Sequence, residues 1–164
     1  MYVQYELVNF AMMKNSIYEN LKEFITKSPE ETILLGEYYA ALIKPGDVIG
    51  LNGNLGTGKT QFAKGIGKYF QVKEIINSPT FNLVNEYIAI NPKTKQSLHI
   101  NHFDLYRLKT TEELLTIGFE EYINPKSICV IEWSTLAEAF FEKTINKVFF
   151  DFGEKDSFRI IKFE

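Results

Sequence analysis

The stretch that decides the fold is Gly53-Asn54-Leu55-Gly56-Thr57-Gly58-Lys59-Thr60. It matches the pattern G-x-x-x-x-G-K-[ST], in which glycines allow successive backbone N–H groups to turn towards phosphate oxygens. An apolar run at 47–52 predicts a short strand before it, and residues 60–70 predict a helix after it. Because the pattern is diagnostic only between a strand and a helix, this context favours a phosphate-binding loop over a glycine-rich turn with a chance lysine.

Two side chains of this loop have expected roles in nucleotide binding. Lys59 should reach the β- and γ-phosphates of ATP, and the Thr60 hydroxyl should hold Mg²⁺. The helix N-terminus adds a partial positive charge beside the same phosphates. The loop therefore predicts a site for Mg-ATP.

A magnesium site also needs carboxylates, and two of them follow apolar strands. Asp104 closes the run 100–103, and Glu132 follows the run 128–131. The carboxyl ends of strands border the crevice of an open α/β sheet, so both acids are expected there. One would hold Mg²⁺, directly or through water, and the other would orient the attacking water. The alternative for each is a simple strand cap.

The rest of the chain predicts alternating helices and strands. One helix begins at Ser28, where Glu31 can close a capping box, and stops before Pro45-Gly46. Further helices are predicted near 111–117 and 134–142, and strands over 81–89, 97–104, 127–132, 146–152 and 157–163. Helices between buried strands predict a single α/β domain over 17–164, with a mixed parallel and antiparallel sheet of the P-loop NTPase type flanked by helices. Residues 1–16 are expected to be a poorly defined N-terminal extension.

Composition limits the classes of function. The chain has 164 residues, a formal net charge of −3, and only two arginines, Arg107 and Arg159. Without a basic stripe, tight unaided binding to nucleic acid is not expected. The absence of a long apolar run, of a secretory signal and of a second cysteine besides Cys129 predicts a cytoplasmic protein with no membrane partner. Cys129 itself is expected in the core.

Other motifs carry a resemblance to a known family. In chain order they are Ser28-Pro-Glu-Glu-Thr32, Leu55-Gly-Thr-Gly-Lys-Thr60, Ser78-Pro-Thr-Phe81, His102-Phe-Asp-Leu-Tyr-Arg107, Leu114 to Gly118 and Ile131-Glu-Trp133. The chain resembles the TsaE/YjeE family, the P-loop ATPase component of bacterial tRNA threonylcarbamoyladenosine biosynthesis. Asn54, Thr57 and Gln61 depart from the family's usual Asp, Ala and Thr or Ser, whereas Lys59 and Thr60 are intact.

The resemblance implies an ATPase that acts on the two other protein subunits of the transferase system, with tRNA contacted only indirectly. Slow hydrolysis by the chain alone is expected from the residues, because only Arg107 and Arg159 could place a guanidinium beside the γ-phosphate. ATP would be bound by Gly53, Asn54, Leu55, Gly56, Thr57, Gly58, Lys59, Thr60, Gln61, Thr32 and Trp133. Lys59, Thr80 and Asp104 would be catalytic, and Thr60, Glu132 and Asp104 would hold Mg²⁺. Thr80 would sense Mg²⁺ or the γ-phosphate from a switch-like loop, and the alternative is that this segment is an ordinary turn. The alternative for Trp133 is a packing role in the core. His102 is expected to be a hydrogen-bonded sheet residue.

The residues bear on three other possible functions. A small-molecule kinase would need an arginine-bearing lid, which two arginines do not provide. A GTPase would use Asn-Lys-x-Asp, and the nearest string, Asn146-Lys-Val-Phe149, lacks the acid. A non-catalytic module that uses nucleotide only as a switch remains open.

Overall fold

A computed structural model of the chain describes residues 23–141 and 145–164. The strands are β1 (Glu23–Thr26), β2 (Val48–Gly53), β3 (Val84–Ile90), β4 (Ser97–Asp104), β5 (Ser127–Glu132), β6 (Asn146–Phe152) and β7 (Arg159–Phe163). The α-helices are α1 (Pro29–Ala40), α2 (Lys59–Tyr69) and α3 (Thr111–Thr116), and 3₁₀ helices cover Phe119–Tyr122 and Ser134–Phe140. The predicted extension at 1–16 and its boundary lie outside the described residues.

The described strands form one sheet in the order β1-β7-β6-β2-β5-β4-β3. β2 runs parallel to β5 and β6, and β4 runs parallel to β5. β1, β3 and β7 pair with their neighbours in antiparallel fashion. The predicted class, a mixed α/β sheet, is confirmed. Parallel pairing brings the ends of β4 and β5 together, with Asp104 opposite Glu132.

Hydrophobic clusters cover both faces of this sheet. Alternate residues of β5 point to opposite faces, and the whole strand is buried. Ile128 and Val130 belong to the cluster that includes α1 and α2, whereas Cys129 and Ile131 belong to the one beside α3 and the 3₁₀ helices. Cys129 is therefore a core residue, as predicted.

Glycines allow α1 and α2 to cross closely. A Cβ atom on Gly36 would collide with the backbone carbonyl of Phe62, and one on Gly65 would collide with that of Ile33. The two helices therefore touch through their backbones, and the Thr32 methyl near the start of α1 lies beside Gly58 at the start of α2. That placement matters because both helix starts line the candidate site.

The structure differs from the predicted elements at several points, and the first of them is the end of α1, which stops at Ala40 rather than just before Pro45. The Glu31 carboxylate accepts a hydrogen bond from Lys27 N at 2.7 Å rather than from Ser28 N, the partner expected in a capping box. The other half of the box is present, because Ser28 Oγ accepts from Glu31 N at 3.2 Å. β3 begins at Val84 because 79–83 form a turn closed by a Leu83 N to Pro79 O bond of 2.7 Å. The last helix is 3₁₀ rather than α and ends at Phe140, and β1 had not been predicted. No helix in the described ranges is long and apolar enough to cross a bilayer.

Candidate nucleotide site

The loop between β2 and α2 is shaped by backbone that only glycine adopts easily. Gly56 has a φ of +80° and Gly58, the N-cap of α2, has a φ of +101°. Thr57 is fully buried, and its hydroxyl donates to Asn54 O at 2.7 Å. The threonine that departs from the family pattern therefore points into the loop rather than into the adjoining cavity.

A cavity of about 610 Å³ opens above this loop. Most of the residues predicted to bind ATP or metal line it: Thr32, Leu55, Gly56, Gly58, Lys59, Thr60, Gln61, Thr80, Asp104, Glu132 and Trp133. Gly53, Asn54 and Thr57 are not among its lining residues. Residues that were not predicted complete the wall: Ser28, Pro29, Ser78, Tyr106, Ser157 and Arg159.

Lys59 occupies the centre of the loop. Its Nζ donates to Gly53 O at 2.7 Å and to Asn54 O at 2.9 Å, and it lies 4.4 Å from the centre of the Trp133 ring. Burial lowers the pKa of Lys59, and the charges of Glu132 and Asp104 oppose that shift. A buried ammonium held by neutral carbonyls is poorly compensated, so an anion in the cavity would be a better partner.

Glu132 connects the loop to the sheet. Its Oε1 accepts from the Thr60 hydroxyl at 2.8 Å and lies 3.0 Å from His102 Nε2. Only 3% of Glu132 is exposed. A hydroxyl and a carboxylate in contact at the start of α2 are the oxygen ligands that Mg²⁺ prefers.

Asp104 is held by donors from the 78–80 turn and from its own strand end. Ser78 and Thr80 hydroxyls both donate to Oδ2, the latter at 2.8 Å, and Tyr106 N donates to Oδ1 at 3.1 Å. The Thr80 hydroxyl, expected to sense metal or phosphate, is bonded to the acid in this structure. The described residues contain no group of three or more His, Cys, Asp or Glu side chains able to hold a metal. A magnesium ion here would need hydroxyl, phosphate and water oxygens to complete its shell.

Aromatic and helix-start residues form the remaining walls. Trp133 has a φ of +60°, and its ring lies 5.0 Å from that of Tyr106. Thr32 bonds to Thr26 Oγ1 at 2.7 Å and to Ser28 O at 3.2 Å, and its methyl carbon lies beside Gly58. Thr32 therefore belongs to the packing between α1 and the loop.

Arg159 is the residue that sequence reasoning missed most clearly. It lies 103 residues from Gly56 in sequence, yet its Nη2 donates to Gly56 O at 3.1 Å. Its Nη1 donates to Asp156 O and Phe158 O at 2.6 and 2.7 Å. Only the pairing of β7 beside β6, and of β6 beside β2, brings it to the loop, so no local sequence signal could have identified it.

A strand, a glycine-rich loop ending in Gly-Lys-Thr, and a helix, set on a mixed sheet with two acids beside them, define an α/β protein of the P-loop class. The family model "Threonylcarbamoyl adenosine biosynthesis protein TsaE" matches residues 26–159. The chain belongs to the TsaE family.

Individual relatives agree with this assignment. The TsaE protein of Bacillus subtilis is 39% identical over 69% of this chain and 66% of the relative. That of Rickettsia conorii is 47% identical over 66% of this chain and 59% of the relative. The chain thus spans less than two thirds of the length of these relatives. The crystal structure of YdiB from Bacillus subtilis superposes with a TM-score of 0.67 at 31% identity, covering 86% of this chain and 82% of that one.

Proposed function

We propose that this protein binds Mg-ATP in the cavity above the loop and hydrolyses it. The observation that carries the proposal is the meeting of Lys59, the Thr60–Glu132 pair and Asp104 in one cavity. A cation, a metal-ligating hydroxyl and two acids at the end of a phosphate-type loop are the parts that P-loop hydrolysis uses.

Each side chain then has a defined task. Lys59 would exchange its carbonyl partners for the β- and γ-phosphate oxygens. Thr60 and Glu132 would hold Mg²⁺, which when bound offsets phosphate charge. Asp104 would orient the attacking water, and Thr80, whose hydroxyl bonds to Asp104, would couple that acid to the 78–80 turn. Asp104 remains the alternative magnesium ligand.

We further propose that hydrolysis serves threonylcarbamoyl modification of the adenosine next to the tRNA anticodon. The relatives bear the name tRNA threonylcarbamoyladenosine biosynthesis protein. The partners would be the two other protein subunits of the transferase system, with tRNA contacted only through them, because the net charge of −3 does not favour direct binding. We expect the protein to act in the cytoplasm, where ATP and tRNA meet.

The test is phosphate release from Mg-ATP by the chain alone, with EDTA, and with the purified partner pair. Magnesium-dependent release of inorganic phosphate that rises with the partners supports an ATPase subunit. Binding of ATP without release under every condition would instead indicate a nucleotide-controlled switch. Phosphate transferred to a small-molecule acceptor, with no free phosphate, would indicate a kinase.

A further inference from the structure

His102 makes a contact that none of the roles above uses. The side chain is 1% exposed and lies on β4 beside β5. Its Nε2 lies 3.0 Å from Glu132 Oε1, the same oxygen that accepts from Thr60. Its Nδ1 is buried and has no hydrogen-bond partner among the described residues.

These contacts define how the imidazole is protonated. A carboxylate only accepts hydrogen bonds, so Nε2 must carry a hydrogen to bond with Glu132. A buried N–H without an acceptor is costly, which favours a bare Nδ1. The bond to Glu132 therefore selects the tautomer that carries its hydrogen on Nε2.

Both bonds to Glu132 use the same oxygen. Oε1 accepts from Thr60 on α2 and from His102 on the neighbouring strand, which together fix the rotation of the carboxylate. Neither bond uses Oε2, which is left for the cavity that Glu132 lines. With His102 removed, the carboxylate could turn about its last bond, because that torsion has broad energy wells.

We propose that His102 is a positioning residue: its Nε2–H holds Glu132 so that Oε2 faces bound metal or its water. This inference rests on the proposed role of Glu132 in Mg-ATP turnover. Partners that orient a metal-binding carboxylate typically change metal affinity or activity by about 10–100-fold when removed. His102 does not itself touch substrate.

The test compares two substitutions of His102 in the complex with the partner pair. His102→Leu removes the donor at similar size, and His102→Gln places an amide N–H near the position of Nε2. His102→Leu should lower kcat and raise the magnesium concentration needed for half-maximal turnover, each by about 10–100-fold. His102→Gln should restore most of the kcat and most of the magnesium affinity. ATP affinity in EDTA should be unchanged in both. Equal losses in the two variants would overturn the proposal.

The second histidine gives a matched control. His99 lies on the same strand and is exposed, so His99→Leu and His99→Gln should leave turnover unchanged. A double-mutant cycle then separates this inference from its premise. If His102 acts through Glu132, His102→Leu should cost nothing more in a Glu132→Gln background. Multiplied losses would overturn the positioning role alone, whereas normal turnover by Glu132→Gln would overturn the role of Glu132 and this inference together.

A measurement that does not depend on turnover, made on a protein that keeps His102, avoids the problem of His102 variants that fail to fold. The chain has two histidines, so His99→Gln leaves His102 as the single imidazole. Nitrogen-15 NMR of that protein should report a hydrogen on Nε2. A bare Nε2 with hydrogen on Nδ1 would exclude the bond to Glu132 and overturn the proposal.

Discussion

Lys59 is expected to serve nucleotide binding without contributing to the stability of the fold. Its ammonium is buried and bonded only to loop carbonyls, and burial lowers its pKa. Lys59→Ala should therefore abolish ATP binding while leaving the thermal unfolding midpoint unchanged or slightly higher. Isothermal titration with ATP and a melting curve on the same sample measure both. Unchanged affinity would contradict the phosphate-loop assignment.

The same lysine predicts a dependence on pH. Its pKa in the folded protein lies below the ordinary value of 10.5 because burial disfavours the charged form. As pH rises through that lowered pKa, Lys59 loses its proton and its attraction for phosphate. ATP affinity should thus begin to fall at a lower pH than it would if Lys59 had the ordinary pKa of a lysine. Bound ATP should raise the pKa of Lys59 and so move this loss of affinity to higher pH. Folding stability should rise over the same interval, since the unfolded chain binds the proton more tightly. Affinity that stays constant up to pH 10.5 would contradict this.

The two acids should be separable from simple strand caps by charge removal. Asp104→Asn and Glu132→Gln keep shape, so Mg-dependent turnover should fall by about 10²-fold or more. ATP binding in EDTA should change little, because neither acid is expected to touch the nucleotide without metal. Turnover is measured in the presence of the partner pair. Normal turnover by either variant would assign that residue to a strand cap.

At the scale of elements, the β6–β7 hairpin braces the phosphate loop through Arg159. The guanidinium joins Gly56 O to the carbonyls of Asp156 and Phe158. Arg159→Ala should lower ATP affinity on the order of tenfold, the equivalent of ~1.5 kcal/mol for one charge-assisted hydrogen bond.

Arg107 supplies the matched control for that change. It stacks over Phe81, 4.5 Å from the ring centre, and is not among the residues that line the cavity. Arg107→Ala should therefore leave ATP affinity unchanged in the same titration. Equal effects of the two substitutions would mean that net charge, rather than the brace, governs binding.

Some elements of the fold could be predicted from local sequence patterns, and others could not. The loop and the strand ends at Asp104 and Glu132 depend on local patterns, namely glycine spacing and short apolar runs, and could be placed in advance. β1 could not, because four residues gain their structure from pairing with β7 far along the chain. The His102–Glu132 contact and the Arg159 brace likewise depend on strand order, which no local pattern records. The final helix became 3₁₀ where Ser134 N donates to Asn52 Oδ1 at 3.0 Å, a contact across 82 residues.

At the scale of the whole molecule, the positions of both arginines bear on how fast the isolated chain is expected to hydrolyse ATP. Fast P-loop hydrolysis uses a guanidinium beside the γ-phosphate, worth about 10³ to 10⁵ in rate. Arg159 is bonded to three backbone carbonyls, and Arg107 is stacked on Phe81. Neither bonds to the acids or to the Thr60 hydroxyl in this structure. The charge is therefore expected from a partner.

A surface suited to such a partner lies beside the cavity. Leu55 and Tyr106, which line it, are 73% and 53% exposed, and Phe81 in the adjoining turn is 84% exposed. We expect slow hydrolysis by the isolated chain and marked acceleration when the partner pair covers this surface. Arg107→Ala, which frees the Phe81 ring, should weaken that acceleration more than it weakens ATP binding. Steady-state ATPase with and without the partners measures both, and turnover near the ~10 s⁻¹ typical of enzymes by the lone chain would refute partner dependence.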